Sequence, residues 1–272
     1  MRGELRLTAA HAVWVFDFET IRILPGQSAH VLLRTLGEVV VPLRAIASVG
    51  FAPTRNGGKL RLVLRVGADP LTQVTAGLLP ERADPFQVTV NSDTAGAADQ
   101  LAGSISDALA IADIPSGPTS TYLVPAPAVP LSAEGEDGTA SFDGKRVTIE
   151  WGWSAPSAKR ASGPRSLDLA TIERVEWNSE LLRFRSRGEA AFDPTHDTNA
   201  MRLWGMGKNV TRAALLAAAV TAHLPHPHAP STPAADHDVV LRRLRELGDL
   251  RRDGVLTEEE FTVAKQALLR AM

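Results

Sequence analysis

The stretch Phe16-Asp17-Phe18-Glu19-Thr20-Ile21-Arg22-Ile23 recurs 126 positions later as Phe142-Asp143-Gly144-Lys145-Arg146-Val147-Thr148-Ile149. Both versions place an aspartate after an aromatic residue and then alternate apolar with polar side chains, the period of a half-buried strand. The same shift carries Gly37 onto Gly163, and Val41, Leu43, Ile46, Val49 and Phe51 onto Leu167, Leu169, Ile172, Val175 and Trp177. One offset held over about 35 positions without a gap marks two copies of one unit. Farther along, the offset drops to about 115, where Phe86 and Val88 meet Met201 and Leu203, and Leu101 and Ile105 meet Leu216 and Val220. The missing residues fall between strands, where loops tolerate deletion.

Alternation continues outward at Val39/Val41/Leu43 and Leu60/Leu62/Leu64 in the first copy, and at Leu167/Leu169 and Leu182/Phe184 in the second. Each copy then changes to helical spacing: Ala98, Leu101, Ile105, Ala108 and Leu109, and later Val210, Ala213, Ala217 and Val220. Six or seven short antiparallel strands closed by one amphipathic helix predict a mainly β protein with α. The expected architecture is two tandem pleckstrin-homology-like (PH-like) β-barrels, each closed by a C-terminal helix, plus a C-terminal two-helix hairpin. Another small barrel with a terminal helix is the alternative. The two barrels are expected to stand separately, with Ile46 and Ile172, and Phe51 and Trp177, at equivalent sites because a common offset preserves side-chain parity.

Two proline-rich stretches punctuate the chain. Pro115, Pro118, Pro125, Pro127 and Pro130 mark an extended linker, and Pro225, Pro227, Pro230 and Pro233 mark a second. The resulting divisions are copy 1 over 1–113, a Pro-rich linker over 114–138, copy 2 over 139–223, a Pro/His linker over 224–235 and a helical hairpin over 236–272. The Phe-Asp pairs, the run Leu36-Gly37 followed by Val41-Pro42-Leu43-Arg44-Ala45-Ile46, and the two-copy layout resemble an actinobacterial domain-of-unknown-function family with tandem PH-like domains. The second copy departs from that pattern, reading Leu167-Asp168-Leu169-Ala170-Thr171-Ile172 without the proline. The resemblance implies a fold and no chemistry. A basic complement of 24 arginines against 5 lysines fits a GC-rich genome of that kind.

From Asp236 the sequence turns to strong helix formers. Leu241, Leu244 and Leu247 precede Asp253-Gly254, and a second helix starts at Leu256-Thr257-Glu258-Glu259-Glu260-Phe261 and runs through Ala264 to Leu268 and Leu269. Gly254 suits the left-handed residue that stops a helix, and Thr257 with Glu260 reads as a capping box. The segment resembles the SHOCT (short C-terminal) domain, which implies a role in oligomerisation or recruitment. Leu241, Leu244, Leu247, Phe261, Leu268 and Leu269 are the residues expected to meet a partner, since two short helices bury too little surface to be stable alone. A calcium loop running from Asp249 to Glu260 is the rival reading of these residues. Arg251 would occupy its third ligand position, a cation where an oxygen ligand is needed, so Thr257 and Glu260 are read as caps.

Charge and composition narrow the function. With 29 basic against 31 acidic residues and no cysteine, the chain lacks both the footprint of a dedicated nucleic-acid binder and any thiolate chemistry. No signal peptide and no run of roughly 18 apolar residues is seen, so a cytoplasmic protein is expected. No P-loop, nucleophile elbow, HExxH or GxGxxG occurs. His223, His226, His228 and His237 are interrupted by prolines and joined by no acid or thiol ligand at suitable spacing, so no metal and no cofactor is expected. Lys159, Arg160 and Arg165 form a candidate weak anion-binding loop after Trp151 and Trp153. The expectation is a non-enzymatic adaptor that self-associates through its hairpin and binds an unidentified protein client. The alternative is peripheral contact with an anionic membrane surface or nucleic acid through that basic loop.

Overall fold

The computed structural model describes residues 3–188, 196–204, 208–230, 251, 257, 260–262 and 264–266. The chain divides into two units, Met1–His228 and Ala229–Met272. The first unit is mainly β with helices. In copy 1, β1 (Leu5–Thr8), β2 (Ala12–Phe16), β3 (Thr20–Pro25) and β4 (Val39–Pro42) form an antiparallel sheet in chain order, with the short helix α1 (Val31–Leu36) between its last two strands. A second sheet holds β5 (Ile46–Thr54), β6 (Gly57–Leu64) and β7 (Gln87–Asn91); α2 (Pro70–Thr75) lies between β6 and β7, and α3 (Ser92–Ala112) follows. Copy 2 repeats the order with β8 (Leu131–Glu134), β9 (Gly138–Phe142), β10 (Arg146–Trp151), α4 (Ser157–Ala161) and β11 (Arg165–Asp168). It continues with β12 (Ile172–Trp177), β13 (Leu181–Ser186), β14 (Ala200–Arg202) and α5 (Lys208–His223). None of the four sheets closes into a barrel.

The duplicated Phe-Asp pair builds the same turn twice. Asp17 Oδ1 accepts from the N–H groups of Glu19 and Thr20 at 2.9 and 2.6 Å, and Asp143 Oδ1 accepts from those of Lys145 and Arg146 at 2.7 Å each. An aspartate that bonds its own backbone two and three residues on fixes the hairpin that follows. Gly37 and Gly163 both sit at positive φ, 77° and 70°, which a residue with a Cβ adopts only with strain. Val49 faces Leu62 as Val175 faces Phe184, and Phe51 faces Leu60 as Trp177 faces Leu182. Each of these strand pairs also shifts register just after Ile46 or Ile172.

The last strands differ from the sequence expectation by two residues. Val88 pairs with Leu60 and Met201 with Leu182, so β7 and β14 are related by 113 positions and not 115. A slip of two preserves which side chains face the core, so the apolar pattern cannot detect it. β6 and β13 are related by 122, and the nine extra residues of copy 1 lie in the segment that forms α2 and a 3-10 turn at Glu81–Ala83.

That segment couples the copies. α3 covers the three-stranded sheet of copy 1, while α5 packs against β8, β9 and β12 on one side and against α1 and α2 on the other. Leu32, Leu71 and Ala83 of copy 1 therefore belong to the core of copy 2. Residues 213–219 of α5, five alanines and two leucines, are all at most 1% exposed, as expected of a helix apolar all round. Each copy keeps its own hydrophobic cluster, but that of copy 2 is completed by copy 1 residues, so the copies do not stand as separate barrels. The described residues of both proline-rich stretches are bonded to copy 1. The N–H groups of Leu123 and Val124 donate to Ala68 O, and Thr119 N donates to Val66 O. His226 Nε2 bonds Gly67 O at 2.9 Å, with its ring edge-on to Tyr122. β8 lies within the span expected to be linker, so strand structure begins eight residues before 139.

In the second unit the described residues contain the reciprocal cap. Thr257 N–H donates to Glu260 Oε2 at 3.0 Å, Glu260 N–H donates to Thr257 Oγ1 at 3.3 Å, and Phe261 N–H bonds Thr257 O. The Arg251 guanidinium lies 5.2 Å from the centre of the Phe261 ring. Leu241, Leu244, Leu247, Leu268 and Leu269 lie outside the described residues, as do His237 and Gly254. Among the described residues no helix is long and apolar enough to cross a membrane.

Candidate functional site

Where the two sheets of a copy meet, the edge strand of the three-stranded sheet runs beside the turn between the first two strands. In copy 2 this seam is closed by the chain itself. Arg202 N–H donates to Asp137 Oδ1 at 2.8 Å, Arg202 O accepts from Glu136 N–H at 2.8 Å, and Ala200 O accepts from Lys159 Nζ at 2.7 Å. Lys159 and Asp137 have no exposed surface and bond each other at 2.9 Å, with the ammonium 4.8 Å from the centre of the Trp151 ring. Each partner offsets the desolvation of the other, and the remaining donors and acceptors are used by β14.

This geometry corrects the anion-binding expectation. Lys159 points inward from α4 and is locked, so it offers no charge to a ligand. Arg160 is exposed, and exposed Arg165 donates Nε–H to Asn199 Oδ1 at 2.9 Å. The structure does not bring the three together as an open basic surface, because the sequence conceals that Asp137, 22 residues before Lys159, is its partner.

Copy 1 has the same turn without the lock. The Gly26 N–H to His11 O and Ser28 Oγ to Ala10 O bonds match those from Gly152 to Asp137 and from Ser154 to Glu136. The positions of Asp137 and Lys159, however, hold His11 and Leu33. A cleft of about 790 Å³ opens there, with Gln87, Val88 and Thr89 of β7 along one side. β7 is the edge of its sheet. Phe86 O bonds Leu62 N–H, so alternate residues Gln87 and Thr89 turn their main-chain groups away from β6. Thr89 and Gln87 are the counterparts of Arg202 and Ala200.

The inserted segment supplies the opposite wall. Glu81 Oε1 pairs with Lys59 Nζ at 2.7 Å, and that bond holds the Glu81 carboxyl below its ordinary range. Glu81 O accepts from Gln87 Nε2, and Asp84 Oδ1 accepts from Phe86 N–H; burial raises the Asp84 pKa. His30 caps α1 with Nδ1 accepting from Leu32 N–H, and burial, with Arg82 and Arg34 nearby, pushes its pKa down. Arg82 faces the cleft and makes no ion pair among the described residues. No group of three or more His, Asp or Glu suited to a metal occurs among them. Trp153 and Trp204, 90% and 83% exposed, are the most prominent apolar side chains on copy 2. Sequence reasoning missed the cleft, although the His11/Asp137 and Leu33/Lys159 mismatches are visible once the copies are aligned at 126.

Duplicated antiparallel units of four and then three strands, each ended by a helix, define the class of protein. Residues 14–106 and 140–221 match the family model described as Domain of unknown function (DUF4429), and the chain belongs to that family. Residues 242–269 match the Short C-terminal domain, SHOCT. No curated protein matches the chain.

Proposed function

We propose that the protein is a non-enzymatic adaptor whose two PH-like copies bind protein or peptide and whose SHOCT hairpin mediates self-association or recruitment. The order of four strands, three strands and a C-terminal helix in each copy supports the PH-like reading. One observation carries the proposal: the duplicated unit is closed on itself at copy 2 and open at copy 1, beside an unpaired strand edge, which is how a binding module differs from its structural twin. Residues 229–272 form a separate compact unit, and the clusters that form the core of the first unit are complete by Leu224 among the described residues.

Light scattering of the full chain and of a chain ending at residue 235, across a concentration series, tests the adaptor reading. The full chain should grow in mass with concentration while the shortened chain stays folded and smaller. Leu244→Asp combined with Leu268→Asp should act like the truncation, because each would bury an unpaired charge in an associated hairpin. Equal masses at every concentration would sink self-association.

A further inference from the structure

We propose that the cleft of copy 1 receives an extended acidic peptide from a partner protein, added as a strand along β7. This rests on the adaptor reading and names the chemistry of its client. Copy 2 serves as an internal reference, because it shows what three outward main-chain groups require when the seam is filled. Arg202 N–H takes a carboxylate oxygen, Arg202 O takes a backbone N–H and Ala200 O takes an ammonium. The corresponding groups of copy 1 are Thr89 N–H, Thr89 O and Gln87 O, on a sheet edge facing about 790 Å³ of open cleft. Main-chain donors and acceptors on an edge are a ready template for another strand, and a cleft of this size lies within the range of peptide- and ligand-sized sites.

The walls select the sign of charge. Both wall carboxylates are already engaged, Glu81 by Lys59 and Asp84 by Phe86 N–H. Arg82 is exposed at the rim and has no ion-pair partner among the described residues, so it is the cation left to meet an acidic side chain. The copy 2 lock also places a carboxylate, Asp137, at the position corresponding to Thr89 N–H. Leu33, standing where Lys159 stands in copy 2, gives the floor an apolar anchor point for a side chain of the added strand. The occupant that meets all three demands is an extended segment with alternating apolar and acidic residues and no proline at its centre.

The test probes the full chain against an array of decapeptides of defined random sequence, then titrates the strongest binders in solution by fluorescence anisotropy. Binders rich in Asp and Glu are expected. His11→Asp with Leu33→Lys rebuilds the copy 2 lock and should weaken them by about tenfold or more. Thr89→Pro removes one outward donor and no bond to β6, and should weaken them to a similar degree should the lock variant misfold. Arg82→Glu should turn the preference toward basic peptides. Binders indifferent to charge, binders unaffected by Thr89→Pro, or binders lost only with Trp153→Ala would each overturn the assignment. An array with no binders would overturn it too. In that last case a mass difference between the full and shortened chains leaves the adaptor reading standing, whereas equal masses remove it as well.

Discussion

Lys159 and Asp137 show how a pair of charges can be structural while looking functional. With both side chains at zero exposure, removing Lys159 leaves Asp137 buried with only Arg202, its guanidinium Nε at 3.8 Å, to offset its charge, so Lys159→Met should cost about 3–5 kcal/mol in urea unfolding. Lys159→Met combined with Asp137→Leu should recover a large part of that loss, and a double change as costly as the sum of the single ones would refute the pairing. Asp69 makes a second case. It caps α2 by accepting from Thr72 N–H at 2.7 Å, and burial pushes its pKa from 3.8 up to about 6. Between those values the folded chain keeps a proton that the unfolded chain releases, so Asp69 makes stability fall as pH rises from about 4 to about 6. Asn caps a helix as well as Asp does. Asp69→Asn should therefore flatten the slope and raise the melting temperature at pH 7 relative to the wild type, by up to about 3 kcal/mol in stability. Melting curves at pH 4.5 and 7 check this, and an unchanged slope would mean the carboxyl ionises without penalty.

At the scale of elements, α3 and α5 descend from one helix and now face different surroundings. Gly103 of α3 and Ala218 of α5 correspond at the 115 offset; Gly103 is exposed with nothing within 4 Å of a Cβ placed there, whereas Ala218 has no exposure. Gly103→Ala should stabilise by about 0.5–1 kcal/mol through helix propensity. Ala218→Asp should cost several kcal/mol by burying a charge between α5 and its neighbours, where Gly103→Asp is tolerated. Thermal melts of the three variants decide it. The contrast also shows where sequence reading stopped. Strand alternation and the Thr257–Glu260 cap were legible because each is a local pattern with one physical solution. The second face of α5 was not, because Val210, Ala213, Ala217 and Val220 satisfy a one-sided helix and the extra apolar residues between them named no partner. The Asp137–Lys159 pair and the cleft opposite β7 were hidden for the same reason, since both depend on which loop lies beside which strand edge.

For the whole molecule, the copy 1 side chains that complete the core of copy 2 argue that duplication was followed by loss of independence. The clusters of the two copies are distinct, yet that of copy 2 is completed by Leu32 and Leu71, from α1 and from the segment that copy 2 lacks. A chain cut in the first linker, giving residues 1–128 and 129–272, separates α5 from that cover. The second fragment then exposes a full helical face of alanine and leucine, and should lose cooperative unfolding or aggregate. The first fragment keeps its own cluster closed by α3, so it should stay folded with a lower melting temperature. Mixing the two should restore a 1:1 complex that melts near the intact chain, because the surface each lacks is supplied by the other. Size exclusion with light scattering, followed by circular dichroism melts of the separate and mixed fragments, measures this. If both fragments melt cooperatively, remain monomeric and ignore one another when mixed, then α5 draws its stability from copy 2 alone, and the contacts with α1 and α2 contribute nothing to holding the copies together.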